Sequence, residues 1–351
     1  MKGAPMLHVK WFGLLSGLLL GGTACVPAAA PVAPTAPAAT ARTVSVGMFQ
    51  FVTHPALDAA RDGARKALED AGFKEGQNIR FDAQNAQANL PTVTSIAQRF
   101  RDQNVDLVIA VGTQPYQAAL NVFKDTTTPI VFNTVTEPYV AARDVVKSPT
   151  DKPANVTGVQ ALPPVKDALQ LAQRAVPSAR RFGIIWTPAE ANSEVATRLA
   201  REAAAELGIE LQEATVTSAD EVLPGAQSLV ARNVDVFFIS TDSTVVSALE
   251  SVVKVANENR KPLFANDPAS SPRGAVAALG IDYADQGYES GQMAARILKG
   301  EKTAADIAIE KSKKGFLAVN TRAAELQGVT LPADILAQAA QKYTEIAPPK
   351  P

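Results

Sequence analysis

VDLVIAVGT (Val105–Thr113) precedes TPIVFNT (Thr128–Thr134), and the same arrangement returns where VDVFFISTDST (Val234–Thr244) precedes KPLFAND (Lys261–Asp267). In each pair a nearly continuous apolar run, typical of a parallel strand buried on both faces, is followed by a helical stretch and a second apolar run. Such β–α–β units build parallel sheets through right-handed crossovers. The pattern therefore predicts an α/β fold of two similar doubly wound parallel-sheet lobes.

The alternation of strands and helices continues from Thr43 almost to the end of the 351-residue chain, a length that suits two domains. A strand, a helix and a strand between Val276 and Val319 are left over from the repeat, which indicates that the chain crosses between the lobes again. We predict one lobe from residues 43–158 plus about 282–312, and the other from residues 159–281 plus about 313–345. Several crossovers form a hinge, and hinged lobes can close a cleft on a ligand.

The N-terminal residues 1–24 have the pattern of a signal peptide: Lys2 and Lys10, an apolar run at Trp11–Leu20, then small residues. The apolar run is too short to remain as a membrane-spanning helix. The sequence Gly-Thr-Ala-Cys is similar to a bacterial lipobox, which predicts lipidation of Cys25, the one cysteine of the chain. The alternative is an ordinary secretory signal followed by an incidental cysteine.

Residues 25–42 are rich in proline and alanine and are predicted to form an extended tether. A tether directly after a lipidated cysteine would hold the folded part of the chain away from a membrane. We therefore expect an extracytoplasmic protein that is anchored to the cell membrane by Cys25, on the periplasmic or outer face.

Motifs for catalysis and nucleotide binding are absent from the sequence. It contains no P-loop, no G-x-G-x-x-G after a strand, no G-x-S-x-G and no H-E-x-x-H. After Cys25 a single histidine, His54, remains, which argues against zinc or thiol chemistry. The net charge of −1 gives no basic excess for a nucleic-acid backbone. We therefore predict no enzyme activity, no cofactor, no metal site and no nucleic-acid partner.

Polar residues follow the predicted strands at their carboxyl ends, where open α/β sheets bind ligands. Thr113 and the hydroxyls near Thr134 could hold a carboxylate together with helix N-termini, whereas Asp242 and Asp267 suit an ammonium group. An amino acid would then bridge the two lobes. Each of these residues taken alone could equally be a plain helix cap.

Three long runs resemble the substrate-binding family of ABC transporters, which has the type I periplasmic-binding fold. They are QFVTHPALDAARDG (Gln50–Gly63), VVKVANENRKPLFAND (Val252–Asp267) and ALGIDYADQGYESGQMAARILKGEK (Ala278–Lys302), and the resemblance extends over Thr43–Leu331. It implies a solute receptor that delivers a small molecule to the permease subunits of an ABC importer. The family includes receptors for tryptophan and other aromatic amino acids, so an amino acid is the expected ligand and an aromatic one is the leading candidate.

The resemblance also implies which residues line the cleft, with Phe51 and His54 at its edge. The predicted ligand-binding residues are Phe51, His54, Thr113, Thr134, Glu137, Asn192, Ser193, Thr241, Asp242, Ser243 and Asp267. Two other functions remain open at this point: a receptor that feeds a membrane sensor, and an exported enzyme on a Rossmann-like scaffold.

Overall fold

A computed structural model describes residues 42–313 and 315–348; the predicted signal peptide, Cys25 and nearly all of the tether lie outside this part of the chain. The strands are β1 (Val44–Gln50), β2 (Ile79–Asn85), β3 (Leu107–Val111), β4 (Ile130–Val135), β5 (Val156–Gln160), β6 (Arg181–Trp186), β7 (Glu210–Thr215), β8 (Val236–Ile239), β9 (Leu263–Ala265), β10 (Ala277–Ile281), β11 (Glu310–Lys311), β12 (Gly315–Asn320) and β13 (Gln341–Tyr343). The helices are α1 (Pro55–Asp70), α2 (Leu90–Asp102), α3 (Thr113–Val122), α4 (Pro138–Ala141), α5 (Val165–Ala175), α6 (Ala191–Leu207), α7 (Val222–Ala231), α8 (Ser243–Ser247), α9 (Leu249–Asn259), α10 (Tyr283–Leu298), α11 (Thr321–Leu326) and α12 (Ala333–Gln338).

The strands form two sheets, which confirms the predicted fold class. The first sheet has the order β11-β5-β4-β3-β1-β2, and we call it with its helices lobe 1. The second has the order β13-β12-β10-β9-β8-β6-β7 and forms lobe 2. The apolar runs of the repeat became central strands: all five residues of β3 and all four of β8 are buried, as expected for strands covered by helices on both faces.

One strand departs from the predicted parallel arrangement. β12 pairs antiparallel with β10, with Leu279 opposite Leu317. β12 enters lobe 2 directly from β11 of the other sheet, without the crossover helix that parallel pairing requires. Because β11, β13 and the helices α4, α11 and α12 are short, the sequence pattern did not reveal them.

The helical stretch that follows β8 is broken at Ala248 into α8 and α9. The break leaves α8 as a short helix whose N-terminus faces the end of β6. Asp242 is its N-cap residue and accepts a hydrogen bond from the backbone N–H of Val245 at 2.8 Å. The N-terminus of α8 is therefore fixed by a carboxylate of its own lobe.

Helix α10 follows β10 of lobe 2 but packs on α1 of lobe 1. Gly287 and Gly291 make this packing possible. A Cβ atom at position 287 would lie 2.0 Å from the Ala60 carbonyl oxygen, and a Cβ atom at position 291 would lie 2.4 Å from the Ala64 carbonyl oxygen. The partner of both glycines is the helix α1. The close contact places Tyr283, the first residue of α10, at the junction of the lobes.

The chain passes between the two sheets at three places: after β5, between β10 and α10, and between β11 and β12. The described residues, 42–313 and 315–348, belong to one compact unit. Among the described residues, no helix has both the length and the apolar character needed to cross a membrane.

Candidate functional site

The carboxyl ends of strands from both sheets meet at a cavity between the lobes. Nine of the eleven predicted ligand-binding residues line it: Phe51, His54, Thr113, Thr134, Asn192, Thr241, Asp242, Ser243 and Asp267. Two do not: Ser193 donates to Asp242 behind the wall, and Glu137 accepts a hydrogen bond from Gln160 at 3.0 Å outside the cavity. The structure thus gathers most of the predicted residues around one space, although their contact with a ligand remains a prediction.

The wall from lobe 1 presents hydrogen-bond donors. Helix α3 begins after Gly112, whose φ of 100° favours glycine, and no side chain caps this helix. Thr113 and Gln114 form its first turn and are buried, yet Thr113 Oγ1 and Gln114 Nε2 have no hydrogen-bond partner among the described residues. The first backbone N–H groups of a helix also lack intrahelical partners. This wall is therefore suited to an anion.

Thr134, on the same wall, has a strained backbone. Its φ is 58°, uncommon for a β-branched residue, and it lies where the pairing of β4 with β5 shifts in register. Its N–H donates to Gln286 Oε1 of α10 at 3.1 Å, and its hydroxyl donates to Asn133 Oδ1 at 2.9 Å. These two bonds hold the strained residue in place at the cavity.

The wall from lobe 2 is organised by Asp242, which is buried. Its Oδ2 accepts hydrogen bonds from Thr187 N and Ser193 Oγ, both at 2.6 Å, and its Oδ1 accepts from Thr187 Oγ1 at 3.2 Å as well as from Val245 N. Burial, followed by the charge of the neighbouring Glu190, raises the pKa of Asp242 to about 6. The acceptor positions of this carboxylate are thus filled within lobe 2.

A second buried carboxylate, Glu190, stands beside Asp242. Its Oε1 accepts from Thr244 N at 2.9 Å and Thr244 Oγ1 at 2.6 Å, and its Oε2 accepts from Ser243 N at 2.9 Å and Asn192 Nδ2 at 3.0 Å. Together with Asp242, it satisfies the first backbone N–H groups of α8. In contrast to α3, this helix keeps no free N-terminus for an anion.

Two polar contacts cross the cleft from lobe to lobe. His54 Nδ1 accepts from Ala56 N at 3.2 Å and so caps α1, while His54 Nε2 lies 3.1 Å from Asp267 Oδ2. Asp267 Oδ1 accepts from Ala269 N at 3.0 Å. The resemblance implied a position for His54 at the edge of the cleft; its contact with Asp267 was not predicted. Thr136 Oγ1 and Thr241 Oγ1, 3.4 Å apart, form a second contact between the lobes.

Several residues at the site were not among the predicted ones. Gln114, Thr136, Ala161 and Tyr283 line the cavity. Burial, with a contribution from Asp267, raises the pKa of Tyr283 far above its usual range, so its phenol is neutral. Glu190 was missed because its acceptor role depends on residues 243–244, more than 50 positions away, and no local pattern marks it.

These features define a class: two hinged α/β lobes that enclose a polar cavity at the carboxyl ends of their strands, as in binding proteins. Residues 45–343 match the family described as ABC transporter substrate binding protein, and the chain belongs to that family. Solved structures such as a leucine-binding protein from Thermotoga maritima share its type I fold at 13% identity.

More similar proteins are found in bacteria. A tyrosine-binding protein of Clostridioides difficile is 37% identical over 277 residues, which cover 79% of this chain and 78% of that protein. A structure from Streptococcus pneumoniae in complex with L-Trp is 26% identical, with a TM-score of 0.80 over 86% of this chain and 99% of the other. A ligand-free, open structure of a substrate-binding protein from Clostridium difficile is 35% identical, with a TM-score of 0.66 over 87% of this chain and 100% of the other.

Proposed function

We propose that this protein is an extracytoplasmic lipoprotein receptor that captures an amino acid in the inter-lobe cavity and delivers it to an ABC importer. Residues 1–24 would be removed as a signal peptide, Cys25 would carry the lipid, and the following residues to 42 would be the tether. The receptor itself would catalyse no reaction. Its permease partner would be a separate membrane protein that recognises the closed form.

The distribution of unpartnered polar atoms carries the proposal. Within the described residues, the donors Thr113 Oγ1 and Gln114 Nε2 of lobe 1 lack partners, and so does the acceptor Asn192 Oδ1 of lobe 2. Buried polar atoms are normally paired, so these atoms point to a ligand that accepts on one side and donates on the other. An α-amino acid carboxylate would bind the N-terminus of α3, and its ammonium group would bind Asn192 and the carboxylate of Asp267.

An aromatic amino acid is the favoured ligand. Phe51, Leu57, Val246 and Tyr283 add apolar surface to the cavity, which suits a large apolar side chain. The relatives named for tyrosine and bound to L-Trp support this choice. Charge-assisted hydrogen bonds of about 1.5–3 kcal/mol each, added to this apolar contact, are sufficient for the roughly −8 kcal/mol of a micromolar site.

We further propose that binding closes the lobes about the three inter-sheet connections, with lobes of residues 43–158 plus about 282–312 and 159–281 plus about 313–345. The contacts His54–Asp267 and Thr136–Thr241 would form on closure. The ligand-free, open structure is 35% identical to this chain and the L-Trp complex is 26% identical, so identity alone would favour a higher TM-score for the open structure. The TM-score is nevertheless higher for the L-Trp complex, 0.80 against 0.66. This order supports a closed arrangement of the lobes.

Thermal unfolding of residues 42–351 tests the proposal. L-tyrosine, L-tryptophan, other amino acids, nucleosides and sugars would each be added to the protein after refolding from denaturant, which removes any bound solute. A ligand at 100 times its dissociation constant stabilises the folded state by about 2.7 kcal/mol, which raises the midpoint by several degrees. We expect the shift with aromatic amino acids. A shift with sugars or nucleosides alone would contradict the amino-acid assignment.

A further inference from the structure

Asn192 has the one side-chain amide of lobe 2 that lines the cavity, and its orientation is fixed from behind. Its Nδ2 donates to Thr241 O at 2.9 Å and to Glu190 Oε2 at 3.0 Å, so both N–H groups are used. Its Oδ1 is buried and has no hydrogen-bond partner in the described part of the chain. The amide therefore offers an acceptor, and no donor, to the cavity.

Glu190 decides this orientation. If the amide were rotated by half a turn, Asn192 Oδ1 would face the Glu190 carboxylate and the Thr241 carbonyl, and three acceptors would meet without a donor. The carboxylate is itself held by the backbone N–H groups of Ser243 and Thr244 and is 6% exposed. Glu190 thus cannot turn away, and Asn192 cannot rotate.

The pair of carboxylates is electrostatically unusual. Glu190 and Asp242 are both buried, and within residues 42–313 and 315–348 neither forms an ion pair with a lysine, arginine or histidine. Asp242 at the wall and Glu190 behind Asn192 thus carry two negative charges without a cationic partner. These charges favour a positive group in the cavity, because burial lowers the screening between charges.

We propose that Glu190 is a positioning residue that makes the site specific for a ligand with a cationic nitrogen, by holding Asn192 Oδ1 toward the cavity. The inference rests on the proposed amino-acid binding and names the group behind its selectivity. Glu190 does not touch the ligand; Asn192 does. The observable consequence is a preference for L-tyrosine over its desamino analogue, 3-(4-hydroxyphenyl)propionate, which keeps the ring and the carboxylate and lacks the ammonium group.

The variant Glu190→Gln tests this role. With its oxygen still bonded to Thr244 N and Oγ1, a glutamine at position 190 would direct its amide N–H groups toward Asn192 Nδ2 and Ser243 N, and the Asn192 amide would rotate to offer its Oδ1 to one of them. An N–H donor would then face the ligand nitrogen. We expect the affinity for L-tyrosine, measured by titration calorimetry on residues 42–351, to fall about 10- to 100-fold, because a hydrogen bond to a charged group is lost. The affinity for the desamino analogue is expected to change less than threefold.

Two further variants separate positioning from damage to the fold. Asn192→Ala should remove the same preference for L-tyrosine, and adding Glu190→Gln to it should change the preference no further, since Glu190 acts through Asn192. Glu194→Gln, on the exposed face of the same helix, is the matched control and should bind as the wild type does.

The outcomes are distinguishable. If the wild type binds no amino acid, the proposed function fails and this inference fails with it. If the wild type binds L-tyrosine but Glu190→Gln leaves the ratio of the two affinities unchanged, the proposed function stands and the positioning role is wrong. If Glu190→Gln does not fold, the ratio in Asn192→Ala decides: an unchanged ratio overturns the inference, and a lost ratio supports it.

Discussion

Helices α3 and α8 follow equivalent strands of the two lobes, β3 and β8, yet their N-termini differ. α3 begins after Gly112 with no side-chain cap, whereas α8 has its first N–H groups bonded to Glu190 and Asp242. The repeated sequence pattern therefore produced two strand-to-helix connections with opposite polarity at the cavity. Lobe 1 presents unsatisfied donors, and lobe 2 presents acceptors and negative charge. We expect an asymmetric ligand to bind between them in one orientation.

The largest effect is expected from the acceptor side. Asp267→Asn removes the negative charge that faces the cavity beside His54, while its Oδ1 can still cap Ala269. We expect the affinity for L-tyrosine to fall about 10- to 100-fold, which corresponds to loss of one charged hydrogen bond. Calorimetry on residues 42–351 measures it. Asp220→Asn, at an exposed position of lobe 2, is the control and should have no effect. Equal affinities of Asp267→Asn and wild type would rule out Asp267 as the ammonium partner.

A second prediction concerns Asp242 and the pH dependence of the stability of the fold. Burial raises the pKa of Asp242 in the folded state from its ordinary value of 3.8 to about 6, so between these values the folded state binds more protons than the unfolded state. Stability from this group is therefore present below about pH 4 and is lost as the pH rises through about 6. The loss amounts to about 1 to 3 kcal/mol.

Urea unfolding at a series of pH values between 4 and 7 measures this effect. Asp242→Asn has no charge to bury, so the wild type should lose stability relative to the variant as the pH rises. The difference, and not the absolute curve, is the test, because other carboxylates contribute their own slopes. A difference independent of pH would show that Asp242 is ionised in both states throughout this range.

The fold could be predicted from the sequence because its signals are local. The apolar runs at Val105–Val111 and Val234–Ile239 predict buried parallel strands from their own residues, without reference to distant parts of the chain. The general place of the site followed too, since residues at the carboxyl ends of parallel strands gather at one edge of a sheet.

The details of the site depend on distant partners and were not predictable. The sequence assigned Asp242 to an ammonium group, but its oxygens accept from Thr187, which follows β6, from Ser193 of α6 and from Val245. Glu190 precedes its helix like many surface glutamates, and its burial comes from α8. Tertiary contacts decided which of several polar residues were left for a ligand.

The smallest effect is expected on the donor side, where backbone N–H groups of α3 would bind the ligand carboxylate together with the side chains. Thr113→Val keeps the shape of the side chain and removes the unpartnered hydroxyl, while Gln114 and the free N–H groups of α3 remain. We therefore expect only about a three- to tenfold loss of affinity for L-tyrosine. Tyramine, which lacks the carboxylate, should bind Thr113→Val and wild type equally, although weakly. Thr150→Val, in an exposed loop of lobe 1, is the control. If Thr113→Val weakened the binding of tyramine as much as that of L-tyrosine, the hydroxyl would contact some other part of the ligand. The assignment of α3 to the donor side and α8 to the acceptor side of the cavity would then have to be reversed.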